Sequence, residues 1–554
     1  MNYKEFVFFF MDQMDKPYLY QKATSYFPEK SFLLLRIVAV VMTVFIVFIL
    51  YRTWQRRNSL LQKTENWLTL FYQKAQAYIK ETIPQKGISR LLFILVLLFY
   101  FIRSVFCIFF YPIDFDEADT YNLFSSQGPL VSASFYPLPN NHILFSVITS
   151  FTSWVIPVPE LALRLPLLLI GLLLVFFVFA LMKRLFSEAA AFVSTGFFIA
   201  SFPVFLFSYL ARGYLLLLLF YILAFYFFYR IVISKKEEKI YYVLFTVACV
   251  FGLYTIPTFL YALAGFVMFW IIQLFIERNK YGWVSLFKTF LIVGVISSVL
   301  YIPVFITARW ELLQADMNPT YTKDHTLASF QLVFSKMAVS FLSPSPLIAV
   351  ITGFFLIAGL LFAFQRLKGH QKSLLVFCTV QLLFPFLVFF VFRQAFPPKP
   401  WMHLSVVITI LIAAIVFVLT DRFPKLKPVF MWLLLLLLAG GSVISFTYNA
   451  TRRTVGYNDV AASCEPLIKA GQVKTVYADI PYFKTMVSFY AYKHNRNVSV
   501  FSSRKKSNRF EDFDPLKKYD LIVTDTGGNI SRRLQYAYDT VLLKHHIIVL
   551  SIRK

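Results

Sequence analysis

An all-α membrane protein that crosses the bilayer many times, with a small α/β domain at its C-terminal end, is the fold class the sequence predicts. Three observations carry the prediction. Apolar runs of about 20 residues, each long enough to span a hydrocarbon core as a helix, recur along most of the chain. Hydrophobic residues make up 58% of the 554 residues and mean hydropathy is +0.66, above the roughly half apolar content of soluble domains. After Asn449 the pattern changes to short β-rich runs separated by helix-like segments.

The elements follow in chain order. Phe32–Tyr51 is the first candidate span. The basic connection from Arg52 to Arg90 carries Trp54, Trp67, Tyr72 and Tyr78 among its charges, an interfacial amphipathic pattern. Residues 1–89 therefore read as an N-terminal extension with one extra span and a basic cytoplasmic linker. The next candidate spans are Leu91–Phe110, Leu161–Met182, Ala189–Ser208, Tyr214–Tyr229 and Tyr241–Tyr254. Thr258–Phe275, Phe287–Ile306, Leu347–Phe364, Ser373–Phe392, His403–Thr420 and Pro428–Phe446 complete the set. Ile143–Ile156 is apolar but short, and reads as a juxtamembrane or partly inserted helix within a large first outer loop, 111–160. Val473–Ala478, Val498–Phe501, Leu521–Thr524 and Ile547–Ile552 are the β-rich runs, with Tyr482–Lys493 as a helix between them. This places a small α/β domain over 447–554.

Charge orients the spans. The net charge is +26, and in a multispanning chain such an excess belongs to cytoplasmic loops rather than to nucleic-acid binding. The connections Arg52 to Arg90, Lys183–Arg184, Arg230 to Lys239, Arg278 to Lys288, Arg366 to Lys372 and Arg422 to Lys427 are all net basic. Alternation of the spans puts them on one side, the cytoplasm. The opposite side receives 111–160, the turn around Arg212, the loop from Thr307 to Ser345, the Arg393 to Met402 loop and everything after Phe446. Cys107, Cys249 and Cys378 lie in spans and Cys464 has no partner in its own segment, so no disulfide framework is expected. Asp525-Thr526-Gly527 superficially matches an aspartic-protease triplet, but at a strand end it reads as a turn. No Gly-rich phosphate loop and no His/Cys metal spacing is visible.

The chemistry concentrates on the outer side. Asp114, Asp116, Glu117 and Asp119 follow directly behind the Leu91–Phe110 span, where hydrocarbon gives way to water. Ionisable groups beside a membrane core are costly and mark functional sites. Adjacent acids cannot both face one point on a regular helix, so Asp116 and Glu117 either diverge or occupy a turn, and one can take a proton while the other holds a backbone amide or cap. Pro137-Leu138-Pro139-Asn140-Asn141-His142 is polar and rigid ahead of the apolar Ile143 stretch. Arg212, in Ala211-Arg212-Gly213-Tyr214, and Arg393 and Lys399, around Pro397-Pro398, put positive charge on the side where it is scarce. A guanidinium fork suits phosphate, and Lys adds a point charge. Taken singly, each acid also reads as a cap, His142 as a hydrogen-bonded structural residue, and each arginine as a headgroup anchor.

Together these motifs resemble the family 39 membrane glycosyltransferases of GT-C type, which include protein O-mannosyltransferases and lipid A aminoarabinose transferases. The carriers are Phe115-Asp116-Glu117-Ala118, Asn140-Asn141-His142, Ala162-Leu163-Arg164-Leu165-Pro166 and Ala211-Arg212-Gly213-Tyr214. The resemblance covers 90–446, the expected transmembrane catalytic domain. It implies an inverting enzyme that takes a hexosyl or pentosyl group from a polyprenyl-phosphate donor on the extracytoplasmic face. The acceptor would be a glycan, lipid or protein hydroxyl, and the setting the bacterial cytoplasmic membrane. It implies that Asp116 is the base with Glu117 as its supporting neighbour, that Arg212, Arg393 and Lys399 hold the donor phosphate, and that Asn141, His142 and Tyr214 contact substrate. Leu210 stands two residues before Arg212 where many relatives carry an acid, so a second acidic site and a metal held by paired carboxylates lack support. The rival class is a lipid or ion-coupled transporter or flippase. Against it, the acids cluster in a loop, and the spans hold almost no charge at mid-depth, Arg103 being the main exception.

Overall fold

The computed structural model describes residues 76–552 apart from 86, 137–139, 236–237, 279, 308–326, 393–397, 454, 479–480, 503–516, 526–537 and 545–546, together with scattered positions between 37 and 73. Most of the Phe32–Tyr51 span, Arg393, and Thr526-Gly527 lie outside the described residues.

After a helical stretch at 76–82, the chain runs into α1 (Gly87–Phe110), then the loop helices α2 (Phe115–Leu123), α3 (Pro129–Ser134) and α4 (Ile143–Val155). The membrane bundle continues through α5 (Pro159–Leu185), α6 (Glu188–Ala200), α7 (Phe202–Phe207), α8 (Tyr214–Phe228), α9 (Lys239–Thr255), α10 (Phe259–Glu277) and α11 (Lys280–Leu300). It is completed by α12 (Ile302–Thr307), α13 (Leu327–Phe341), α14 (Pro346–Arg366), α15 (Gly369–Phe392), α16 (Leu404–Arg422), α17 (Lys427–Leu436) and α18 (Ser442–Tyr448). Among the described residues nine helices are long and apolar enough to cross a membrane. The helix α4 has 13 residues, about 20 Å at 1.5 Å per residue, too short for a core of about 30 Å. On α14, Phe354, Phe355, Ile357 and Leu361 are exposed, the surface expected of a helix that faces lipid.

The expected span Ala189–Ser208 is broken in two. The helix α6 ends at Ala200, Ser201 is extended, and α7 restarts with Pro203 in its first turn. Proline supplies no amide to continue the ladder, so carbonyls of the last turn of α6 need other donors. Arg103 reaches across from α1 and gives one, its Nη1 lying 2.6 Å from the Ile199 oxygen. The mid-span cation of the sequence is thus a helix cap. Gly441, in a π-helical turn between α17 and α18, lets that strand of the bundle approach the break: a Cβ there would lie 2.6 Å from Ala200 Cβ.

Basic connections gather at one end of the bundle. Lys183 Nζ donates to the Glu81 and Thr82 carbonyls at 3.0 and 2.9 Å, and Gln371 donates to the Leu185 carbonyl at 3.2 Å. The acid helix α2 lies at the other end. There the C-terminal domain begins with α19 (Val455–Lys469), β1 (Thr475–Ala478), α20 (Pro481–Lys493) and β2 (Ser499–Ser502). It continues with β3 (Leu521–Asp525), β4 (Tyr538–Lys544) and β5 (Ile547–Ile552), in a five-stranded sheet of order β2-β1-β3-β5-β4. Strand β1 is parallel to β2 and β3, and β5 is antiparallel to β3 and β4. Parallel strands need a crossover, and α20 supplies it between β1 and β2. The four cysteines are free and buried.

Candidate active site

The site is assembled around a buried ion pair. Asp114 is the N-cap of α2: its carboxylate accepts the Asp116 amide at 2.8 Å, while Glu117 accepts the Asp114 amide at 3.0 Å, a complete capping box. Glu117 is 0% exposed and takes three further donors. Arg164 Nε and Nη2 lie 2.8 and 2.6 Å from its two oxygens, and the Ala211 amide lies at 2.8 Å. The same guanidinium gives its remaining hydrogens to the carbonyls of Ile108 (2.7 Å), Tyr111 (2.9 Å) and Pro112 (2.9 Å). A guanidinium has five N–H donors and all are used. One pair therefore caps the C-terminus of α1, starts α2, and binds α5 and the α7–α8 turn to both.

This leaves Glu117 no capacity for substrate, while Asp116 stays partly exposed. Asp116 points a carboxylate that is 21% exposed toward Lys399 Nζ at 3.4 Å, with Lys399 itself 56% exposed. The backbone of Asp116 anchors Arg212, whose Nη1 donates to the Asp116 carbonyl (3.2 Å) and to Thr120 Oγ1 (3.0 Å). Arg212 Nη2 donates to Asn140 Oδ1 and lies 3.3 Å from His142 Nε2. Arg212 is buried, and its Nε–H has no partner among the described residues.

The His142 ring is held by its other nitrogen, Nδ1, which accepts the Gly213 amide at 2.7 Å. Burial, with Arg212 and Lys399 adding to it, depresses its pKa well below the usual histidine value, so the ring is neutral. A neutral ring that accepts at Nδ1 carries its proton on Nε2. Two donors then stand side by side, Nε2–H and the Arg212 guanidinium, an arrangement that an anion satisfies. The close approach needs Gly213, where a Cβ would lie 3.0 Å from His142 Cβ and from Thr255 Cγ2. Tyr214 packs edge-on against the same ring at 4.8 Å between centroids.

Of the residues expected from sequence, Asp116, Glu117, Lys399, Arg212, His142 and Tyr214 converge here. Asn141 does not face the site. Its amide donates to the Ser132 and Phe135 carbonyls at 2.8 and 2.9 Å and its oxygen accepts from Ser146 at 2.7 Å, so the side chain is spent on joining α3 to α4. The neighbour Asn140 faces the site instead. Asp119, which the sequence left as a cap, is 7% exposed and accepts from Asn140 Nδ2 (3.2 Å) and from Thr485 Oγ1 (3.1 Å). Burial raises its pKa to about 6, with Asp116 adding to the rise, while Thr485, Arg212 and Asn140 oppose it. The signal for Arg164 was present: a lone ionisable residue inside an apolar span needs a partner.

The fold is that of an all-α polytopic membrane protein, GT-C in its architecture, with a small α/β domain packed on the acid helix at one end. The likeness is to ArnT, the lipid A aminoarabinose transferase, from Cupriavidus metallidurans. Against its structure bound to undecaprenyl phosphate the TM-score is 0.55 at 13% identity, covering 84% of this chain and 98% of that one. Against its apo structure the TM-score is 0.57 at 11% identity, covering 83% and 97%. No protein-family model and no curated protein sequence matches the chain, and the likeness is one of fold.

Proposed function

We propose that this protein is an inverting membrane glycosyltransferase, moving a sugar from a polyprenyl-phosphate donor to an acceptor hydroxyl on the extracytoplasmic face. The observation that carries the reading is the convergence on α2 of a partly exposed carboxylate, Asp116, and a buried guanidinium, Arg212, that holds the Asp116 carbonyl and whose Nε–H has no partner among the described residues. Asp116 accepts the proton of the acceptor hydroxyl as that oxygen forms its bond to the anomeric carbon. The bond from that carbon to the phosphate oxygen breaks, and the electron pair leaves with the polyprenyl phosphate. Arg212, the His142 Nε2–H and Lys399 face the charge that grows on the leaving group. Arg393 belongs with them by the family resemblance. Glu117 acts by position: it starts α2 and so aims Asp116. The fold shared with a protein solved with undecaprenyl phosphate bound supports the donor class. Against the transporter alternative, the mid-span Arg103 has a structural task, donating through Nη1 to the Ile199 carbonyl, although its Nε and Nη2 have no partner among the described residues.

The test is transfer from a radiolabelled polyprenyl-phosphate sugar pool by the purified protein in lipid nanodiscs. Asp116→Asn is expected to lower turnover by roughly 10²–10⁴-fold, the usual worth of a positioned base, with folding unchanged. Arg212→Ala is expected to weaken donor binding. Near wild-type turnover in Asp116→Asn would sink the assignment, and ion-coupled uptake without transfer would favour a transporter.

A further inference from the structure

The C-terminal domain reaches the site through one stripe of α20. Tyr482 meets Phe115 at 4.2 Å between ring centroids, and Phe489 and Tyr492 pack on Tyr121 at 5.5 and 5.3 Å. Thr485 lies between these contacts and is gripped twice by α2. Its carbonyl accepts from Asn122 Nδ2 at 3.0 Å, and its hydroxyl donates to Asp119 at 3.1 Å. On α2, Phe115, Asp119 and Asn122 share one face by their four- and three-residue spacing. The second oxygen of Asp119 accepts from Asn140, whose own oxygen accepts from Arg212. A continuous set of hydrogen bonds thus runs from the C-terminal domain to the guanidinium.

We propose that Asp119 is a positioning residue through which the C-terminal domain fixes Arg212, by holding Asn140 with its oxygen toward the guanidinium. The orientation of Asn140 decides the matter. An amide whose NH₂ is held by a carboxylate must turn its oxygen to the other side, where Arg212 finds an acceptor. Without Asp119 the amide is free to rotate, and its NH₂ then opposes another donor. The charged groups acting on Asp119 are Asp116, on its own helix, and Arg212, on the α7–α8 turn, while α20 and the loop before α4 present the neutral donors Thr485 and Asn140.

The consequence for catalysis rests on the function proposed above, but the coupling can be read without any substrate. The amides of Ala211, Arg212 and Gly213 are all hydrogen-bonded, to Glu117, the Leu210 carbonyl and His142. Their hydrogen–deuterium exchange in the full chain in nanodiscs therefore reports the position of the turn. Thr485→Val is expected to speed exchange about threefold or more both in α20 and across 210–213, within the range of coupling through packed networks. Asp119→Ala should do the same at 210–213. Thr485→Ser, which keeps the hydroxyl, should restore wild-type exchange. So should Asp119→Asn, which keeps an acceptor for Asn140 and turns its amide to a rotated Thr485 hydroxyl. Loosening confined to α20 in Thr485→Val, or no rescue by the conservative variants, would overturn the proposal. In the transfer assay Thr485→Val should raise the donor KM about threefold with kcat little changed. Coupled exchange with an unmoved KM would retain the coupling and count against Arg212 as the donor ligand.

Discussion

Replacing Arg164 by methionine isolates what holds the site together. The substitution keeps an unbranched stem, ending where the arginine Nε begins, and removes all five donors. Glu117, fully buried, would keep only the amides of Asp114 and Ala211 of its four donors. The carbonyls of Ile108, Tyr111 and Pro112 would lose the guanidinium that caps α1. Removing one member of a buried ion pair costs about 3–5 kcal/mol, because the remaining charge is left without compensation. Three uncapped carbonyls add to this, each by about 1–3 kcal/mol where water cannot reach it. A loss of at least ~4 kcal/mol is therefore expected, a large part of the 5–15 kcal/mol or so typical of a folded domain. The measurement is the unfolding free energy in mixed detergent micelles for Arg164→Met, Glu117→Gln and the double variant. Since Glu117→Gln removes the charge that Arg164→Met strands, the double variant should fall short of the sum by about 2 kcal/mol or more. A single variant within about 1 kcal/mol of wild type, or an additive pair, would refute the view that this ion pair organises the site.

Two further outcomes follow from local geometry. Gly213→Ala places a methyl 3.0 Å from His142 and Thr255, and overpacking of this kind costs about 1–3 kcal/mol. Lowered melting temperature and weaker donor binding are expected, and unchanged values would mean that the turn can shift freely. Asp119 links stability to pH, with its carboxyl raised from the ordinary 3.8 to about 6 in the fold. The protonated form thus suits the fold better than the ionised one. Its contribution is fully present below about pH 4 and is lost as pH rises through about 6, reaching ~3 kcal/mol at neutral pH. Asp119→Asn should remove that slope, and parallel pH–stability profiles for the two proteins would count against it.

Much of the architecture was legible from the sequence because a bilayer imposes one-dimensional rules. A run of about 20 apolar residues is a helix wherever it sits, and basic residues sort to one side. Nine of the expected spans and the switch to an α/β pattern near Asn449 could be read on that basis alone, while the expected span Tyr241–Tyr254 is a shorter apolar helix of 17 residues, α9. The break at Ser201 could not, although Pro203 was in plain view. A proline inside an apolar run kinks or divides a helix depending on what satisfies the freed carbonyls, and here the donor is Arg103, 96 positions earlier.

The acid run shows the same division. The sequence by itself determined that carboxylates would stand directly behind an apolar span, that two adjacent acids on a helix could not both face one point, and that Arg212 would interrupt an otherwise apolar stretch. Local chain geometry and the cost of charge beside hydrocarbon are enough for that. Only the tertiary structure decided that Glu117 is the acid consumed by Arg164, that Asn140 rather than Asn141 faces Arg212, and that Asp119 receives the C-terminal domain. Each depends on a hydrogen-bond partner brought in from a distant segment. A carboxylate or amide shows its chemistry in the sequence, but which of its lone pairs and protons remain unspent is settled only when the packed chain has assigned the rest.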